Sequence, residues 1–481
     1  MHCRHAFGLE NNKTAEAKLE SLFLPAAGNR WNDELNNAGN NGNYWSSSLN
    51  TDNPNNAWNF NFNSNNTNLN NNNRNNGQSV RAVREHFPEC SVFRLTRERL
   101  LADLRQAYYD ARRHKRNKPY QLRFEAHLEE NLESLCDALF NRAYHPLSSS
   151  CFIITDPKKR EVFAADFRDR IVHHLYYNYT HQMYERTFIH DSYSCIKNRG
   201  THYGIRRLEE HIRKESQNYT VPCYVMKMDI RGYFMNIDRR RLLEICLATI
   251  DKMASHRLSR HRTERWQEVV DVDFIKYLTE AIVLLDPTEC CRIKGKKSDW
   301  VGLPLDKSLF HSPEGCGLPI GNLTSQLFSN VYLNVLDQFM KRKLKCKHYG
   351  RYVDDFYVVS ADKDWLHSIV PKVKALLSER LRLAFHDGKL KMTSVWHGVE
   401  FLGAWLKPHR IYVSRNCVGR ISKKLDVLEK FGLEKWFATL NSYCGLLSHW
   451  NNYNVRQTLL LKRHRFTRWG MFDYGLRHYY D

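Results

Sequence analysis

Asp354 and Asp355 are the side chains of this chain best suited to do chemistry, and they stand together in Tyr-Gly-Arg-Tyr-Val-Asp-Asp-Phe-Tyr-Val-Val-Ser, residues 349–360. Val, Tyr and Phe on both sides favour extended backbone, and an Asp-Asp pair suits the turn between two strands. Adjacent carboxylates repel each other unless a cation neutralises them. Hard Mg²⁺ does so with oxygen ligands from one or two carboxylates plus substrate phosphates. A third carboxylate is available at Asp229, near the end of Tyr224–Ile230, an apolar run that reads as a covered strand, with Gly232 just beyond to turn the chain. A lone Asp at a strand end is commonly a turn residue. Beside an Asp-Asp hairpin it becomes a ligand, because three carboxylates from two elements can hold two divalent ions about 3.5–4 Å apart for phosphoryl transfer.

The elements that must position these groups follow in order. Residues 94–143 carry apolar side chains at helical spacing, and Lys158-Lys159-Arg160-Glu161-Val162-Phe163 reads as a strand bearing cations. Gly317-Leu318-Pro319-Ile320-Gly321-Asn322-Leu323-Thr324-Ser325-Gln326 leads into a helix through Met340, and Gly398-Val399-Glu400-Phe401-Leu402-Gly403 reads as a turn. After Lys407 the chain turns helical, basic and aromatic. Residues 240–310 have no legible role.

Together these blocks resemble the reverse transcriptases. Tyr352-Val353-Asp354-Asp355 is similar to their Tyr-x-Asp-Asp signature, and Asp229 with Phe234 is similar to their first catalytic motif. The resemblance implies an α+β right-hand polymerase with fingers, an antiparallel palm sheet and a short helical thumb. It implies Asp229, Asp354 and Asp355 as catalytic carboxylates, with the Ile230 carbonyl as a further metal ligand. Two Mg²⁺ are the implied cofactors, with Mn²⁺ as a substitute. Phe234 would be the steric gate against a ribose 2′-hydroxyl; a plain core aromatic is the alternative. Arg160 and Lys158 would meet the incoming triphosphate, with Gly321, Ser325 and Gln326 beside the templating base and nucleotide. Gly321 reads as a glycine that lets backbone approach a crowded ligand surface. Phe401, Leu402 and Gly403 resemble the primer grip, and Asp191-Ser192-Tyr193 with 197–202 a template-contacting block. Lys389 or Lys391 would protonate the leaving pyrophosphate.

The details resemble one branch, the reverse transcriptases of diversity-generating retroelements. Ile320 and Gln326 replace the residues that most of the family carries there, and Lys307-Ser308-Leu309-Phe310 and Tyr349-Gly350-Arg351 are similar to that branch. It copies a template-repeat RNA with errors at adenines, and the cDNA replaces a variable region of a target gene. The implied partners are template RNA, the RNA/cDNA hybrid, deoxynucleotides and a small, basic, helical, pentameric accessory protein. A retron-type or antiphage-defence reverse transcriptase is the alternative. An RNA-binding scaffold without activity is a rival of another class.

Residues 1–84 differ from the rest, with Asn dominating residues 29–76 and aromatics interleaved. Asn favours neither helix nor strand, so this segment is expected to be poorly ordered. Its pieces 22–28, 44–48 and 77–84 resemble the end of the lectin-fold proteins that such retroelements diversify. Asn codons contain two adenines, so an Asn-studded variable region is what a translated template repeat would look like.

Composition agrees. The 481 residues carry a net charge of +21 and a pI near 9.4, almost none of it from residues 1–84, as suits a protein that grips a phosphate backbone. Basic clusters at Arg112–Arg116 and Lys462–Arg465, near Tyr108, Tyr109, Phe466 and Trp469, are expected to touch nucleic acid. Thirteen cysteines without a C-x-x-C pair point to reduced thiols and a cytoplasmic, bacterial or phage-encoded protein; Cys290-Cys291 lacks ligand partners. No signal peptide or membrane span is expected. The expected divisions are 1–84, fingers with N-terminal helices 85–225, palm 226–404 and thumb 405–481.

Overall fold

The computed structural model describes residues 29–31, 34–36, 40, 42–49, 53, 55–62, 67–73 and 77–78, then 93–462 except 114, 157, 259–261 and 430–432, and 471–480 except 474. The chain divides into two compact units, residues 1–91 and 92–481.

In the first unit the expectation of poor order is not met by the described residues. Strands β1 (Asn29–Trp31), β2 (Glu34–Asn36) and β6 (Gly77–Gln78) form one antiparallel sheet in the order β2-β1-β6. A second runs β3 (Gly42–Leu49), β4 (Asn56–Phe62), β5 (Thr67–Asn73). The physical reason is that asparagine amides complement one another across strands. Asn43 and Asn61 are cross-strand partners, and the Asn61 amide donates to Asn43 Oδ1 at 2.6 Å. Asn43 is buried, as are Asn59, Tyr44 and Ala57. The lectin-like pieces 22–28 and 79–84 lie outside the described residues, as do 463–466 and Trp469 of the second basic cluster.

The second unit is built on a four-stranded antiparallel sheet ordered β11-β12-β9-β13. Its strands are β9 (Tyr224–Met228), β11 (His348–Tyr352), β12 (Asp355–Ser360) and β13 (Lys391–Ser394). Alternation along the strands sends Met226, Met228, Phe356 and Val358 into the main core, and Val225, Tyr357 and Val359 into a second core on the opposite face. Both faces are covered, which is why Tyr224–Ile230 reads as apolar on both sides.

The anticipated cation-bearing strand is β8 (Arg160–Ala164), antiparallel to β7 (Ser149–Ile154). The segment 240–310, which sequence left blank, is part of the main core. Helices Arg239–Ala254 and Val272–Val283 bury Leu242, Cys246, Ile250, Phe274, Ile275 and Leu278. Its remainder adds β10 (Cys291–Ile293) in parallel to β7. It also encloses the buried Glu161 carboxylate, which accepts from Trp300 Nε1 at 2.6 Å, Ser308 Oγ at 2.9 Å and the Leu309 N–H at 2.5 Å.

Beyond the four-stranded sheet, β14 (Val399–Phe401), β15 (Ala404–Lys407) and β16 (Arg410–Val413) form a three-stranded sheet. The helical segment therefore starts at Arg415 rather than at 405, because the hairpin after Lys407 adds one more strand. Ser414 caps that helix by accepting from the Cys417 N–H. Helices Leu433–Leu447 and Tyr453–Leu461 follow, and Asn452 ties them back by accepting from the Val413 N–H at 2.8 Å. Among the described residues the cysteines are free. No described helix is long and apolar enough to cross a membrane.

Candidate active site

Tyr352 pairs with Asp355 across the β11–β12 hairpin, which leaves Val353-Asp354 as a two-residue turn. Such hairpins need a positive φ that matches the strand twist. Val353 supplies it at φ 56, a costly conformation for a β-branched residue and of the kind that persists only where surrounding contacts enforce it. The enforcing contact is the Arg351 guanidinium, fully buried against the fully buried Asp337. Its Nε donates to Asp337 Oδ1 at 2.8 Å and its Nη2 to Asp337 Oδ2 at 2.7 Å and Ser192 Oγ at 3.2 Å. Nη1 donates to Asn330 Oδ1 at 3.3 Å and to the Val353 carbonyl at 2.9 Å. All five N–H donors are used. Gly350 lies opposite Tyr357, where a Cβ would stand 2.6 Å from the Tyr357 hydroxyl, so the position needs glycine for space.

Strand periodicity places Lys227, Asp229 and Asp355 on the same face of the sheet, with Asp354 in the turn beside them. Asp354 is pushed up to about 6, first by burial and then by the charges of Asp229 and Asp355. Asp355 is raised by burial as well, against the opposing charge of Lys227, whose Nζ lies 3.7 Å from Asp355 Oδ2. Lys389 grips Asp229, donating to Oδ1 at 2.9 Å and Oδ2 at 3.0 Å. That separates the two candidate lysines: both are exposed, but Lys389 is paired with Asp229, whereas Lys391 stands on β13 opposite Lys227. Lys227 and Lys389 are the cations that temper this carboxylate cluster. The Lys-x-Asp spacing of 227–229 was the available signal for the first, whereas Lys389 is brought in only by the fold.

The donors suit a hard divalent ion. They are carboxylate oxygens that raise one another's proton affinity, and near them is the Ile230 carbonyl. The bridge between Ile230 and Phe385 is bonded through its neighbours, Arg231 N–H to Ala384 at 2.9 Å and His386 N–H to Asp229 at 3.0 Å, which leaves the Ile230 carbonyl out of it. Among the described residues, no three His, Cys, Asp or Glu side chains are gathered closely enough to hold a metal. In this arrangement Asp229 is held by Lys389 instead.

Phe234 is half-buried in the short turn Tyr233–Met235, and its carbonyl accepts from the Leu318 N–H at 2.8 Å. The same loop reaches β8, where the Phe163 N–H donates to the Ile320 carbonyl at 2.9 Å. The crowding at Gly321 is therefore made by protein: at φ +136 a Cβ would stand 2.7 Å from the Phe163 carbonyl oxygen. Gly321→Ala is expected to cost about 1–3 kcal/mol through backbone strain and the clash. Thermal denaturation checks this; an unchanged midpoint would contradict it. Ser325 is buried in the helix Leu323–Gln338, whereas Gln326 is exposed. It borders a cavity of about 230 Å³ with Gly321, Leu323, Arg170, His174 and Lys115.

Arg160 and Lys158 are exposed at the start of β8 and before it. Two expected contact sites are interior instead. Phe401 is fully buried, its ring 5.1 Å from that of Tyr357, so only Leu402-Gly403, both at positive φ, form the tip of the β14–β15 turn. Asp191, Ser192 and Tyr193 are buried behind the β11–β12 hairpin: the Tyr193 N–H donates to the Arg351 carbonyl at 3.0 Å, and Arg207 Nε to Asp191 Oδ1 at 2.7 Å. They brace the turn, and a triplet flanked by the polar His190 and Ser194 gave no warning of burial.

The site is thus a carboxylate-bearing hairpin at the end of an antiparallel sheet. Residues 283–406 match the family model "Reverse transcriptase (RNA-dependent DNA polymerase)". Residues 10–83 match a domain family of unknown function. Protein YkfC of Escherichia coli (strain K12) is 24% identical over 331 residues, covering 62% of this chain and 75% of YkfC. Telomerase from Candida albicans, solved with a fragment of telomeric RNA, is similar at a TM-score of 0.39 and 10% identity, over 69% of this chain and 58% of that one. Apo telomerase from Candida tropicalis gives 0.39 and 12%, over 67% and 61%. This chain thus spans about three-fifths of those telomerase chains.

Proposed function

We propose that this protein synthesises cDNA on a template-repeat RNA with errors concentrated at adenines, for mutagenic retrohoming into a variable region of a target gene. The observation that carries the reading is the exposed Gln326 beside Ile320-Gly321, where most of the resembling enzymes carry other residues. Its amide makes no hydrogen bond among the described residues, so it is free to meet a base, and a change of about 1.4 kcal/mol there is tenfold in error rate. Residues 1–84 fit the same reading as a template repeat read in frame. Absence of a nearly identical, adenine-varied segment near the locus would sink that part.

Asp229, Asp354, Asp355 and the Ile230 carbonyl hold two Mg²⁺ when bound, or Mn²⁺ in their place, which polarise the phosphoryl group and neutralise developing charge. Arg160 and Lys158 hold the triphosphate, Arg160 bidentately. Lys389, already at Asp229, is better placed than Lys391 to give the departing pyrophosphate a proton. Leu402-Gly403 supports the primer, and a small, basic, pentameric helical protein delivers the template RNA. Phe234 shields the space of a 2′-hydroxyl. Phe234→Ala is expected to raise ribonucleotide incorporation at least about tenfold relative to deoxynucleotides, equivalent to ~1.4 kcal/mol, in single-nucleotide extension.

The deciding experiment is sequencing of cDNA made by the purified chain on its own template RNA. Misincorporation concentrated at adenines is the expected result. Uniform fidelity would favour a retron-type or defence enzyme, and no synthesis at all a scaffold.

A further inference from the structure

A second cavity, of about 430 Å³, is lined by Arg113, Lys115, Arg116, Asn117 and Lys118, in the loop between helices Arg97–Arg112 and Pro119–Glu125. Lys115 also lines the cavity beside Gln326. One lysine is therefore the shared wall of two hollows, and together they run from the third block to the outer loop. No carboxylate lines either hollow. The half-buried Lys115 ammonium has no ion-pair or hydrogen-bond partner among the described residues, and burial with the nearby Arg170 charge lowers its proton affinity. Arg170 is fixed along this track, donating from Nε to the Ala165 carbonyl at 2.9 Å and lying over the Tyr120 ring at 4.9 Å. Burial keeps His174 neutral, at about 4. Cations lining two adjoining hollows, with Lys115 unpaired among the described residues and Arg113 paired with Asp110 at 3.5 Å, suit a flexible polyanion.

We propose that this groove holds the unpaired template RNA ahead of the copied position, running from Gln326 past Arg170 and Lys115 to Arg113, Arg116 and Lys118. The inference rests on the polymerase reading above, and it adds a binding site for a single strand. It also gives Lys115 the role of joining the outer loop to the copying site.

The test uses the full chain and fluorescence anisotropy on primer–template hybrids whose RNA overhang is one nucleotide or a long single strand. The parent protein is expected to bind the long overhang more tightly. The double variant Lys115→Ala/Arg116→Ala should lose at least about tenfold of that gain. Its plot of log affinity against log salt on the long overhang should flatten by about 1.4, at roughly 0.7 per lost phosphate contact on a single strand. A melting curve matching the parent shows that the variant is folded. An undiminished gain and slope would overturn the proposal, as would an equal loss on both hybrids, which would put the loop on the duplex. Failure of the polymerase reading is distinguishable: no hybrid would be extended, while the anisotropy series still decides the groove.

Discussion

Asp355→Ala is expected to lower primer extension by at least ~10³-fold, about 4 kcal/mol of barrier, with RNA binding within about twofold of the parent. Asp354→Ala should do the same. Both carboxylates feel the charge of Asp229 at the sheet end, and on the proposed reading removing either deletes an oxygen donor for the reacting phosphate. The expected stability effect has the opposite sign to that of an ordinary core mutation. Asp354 is raised to about 6 by burial and by its neighbours' charges, so deleting Asp355 relieves repulsion. The variant should melt no lower than the parent, although Lys227 loses its partner at 3.7 Å. Loss of activity with retained melting and RNA binding supports a catalytic role; residual extension above a hundredth of the parent rate would refute the assignment.

Asp337→Ala should be the most destabilising single change in the second unit, at about 3–5 kcal/mol, because it strands the fully buried Arg351 guanidinium. It also frees the Tyr349 hydroxyl, which now donates to Asp337 Oδ1 at 2.6 Å. Replacing both charges, as in Arg351→Met/Asp337→Leu, should be milder, since a buried ion pair contributes little net stability over well-packed apolar groups. That double variant still loses the bond from Arg351 Nη1 to the Val353 carbonyl, and with it the restraint on the strained turn. Urea denaturation separates the two outcomes. A double variant as unstable as the single one would contradict this account. A double variant that folds yet extends primers poorly would assign Arg351 to positioning of the turn.

Much of the site is legible before folding because it is local. Asp354-Asp355 sits between two strand-forming runs, and a turn between those runs follows from residue preference, but its register, Val353-Asp354 with Asp355 already in β12, does not. Gly321 is recognisable as a crowded glycine, yet its neighbour is the Phe163 carbonyl, about 160 residues earlier in the chain, and no local pattern names a long-range neighbour. The Asn-rich leader illustrates the converse. Residue preference predicts poor order, but cross-strand pairing of Asn43 with Asn61 satisfies amides that look unburiable one at a time. Phe401 and Asp191-Ser192-Tyr193 match surface-contact blocks and are buried, because burial depends on which elements pack over them.

By itself the sequence determined that Asp354 and Asp355 lie at a strand hairpin and that Asp229 follows a covered strand, since these depend on residue type and short spacing. Only the tertiary structure decided that Lys389 rather than Lys391 meets Asp229, that Arg351 holds the Val353 carbonyl, and that Lys115 joins two cation-lined hollows. Those are relations between side chains far apart in the chain, set by strand register and packing.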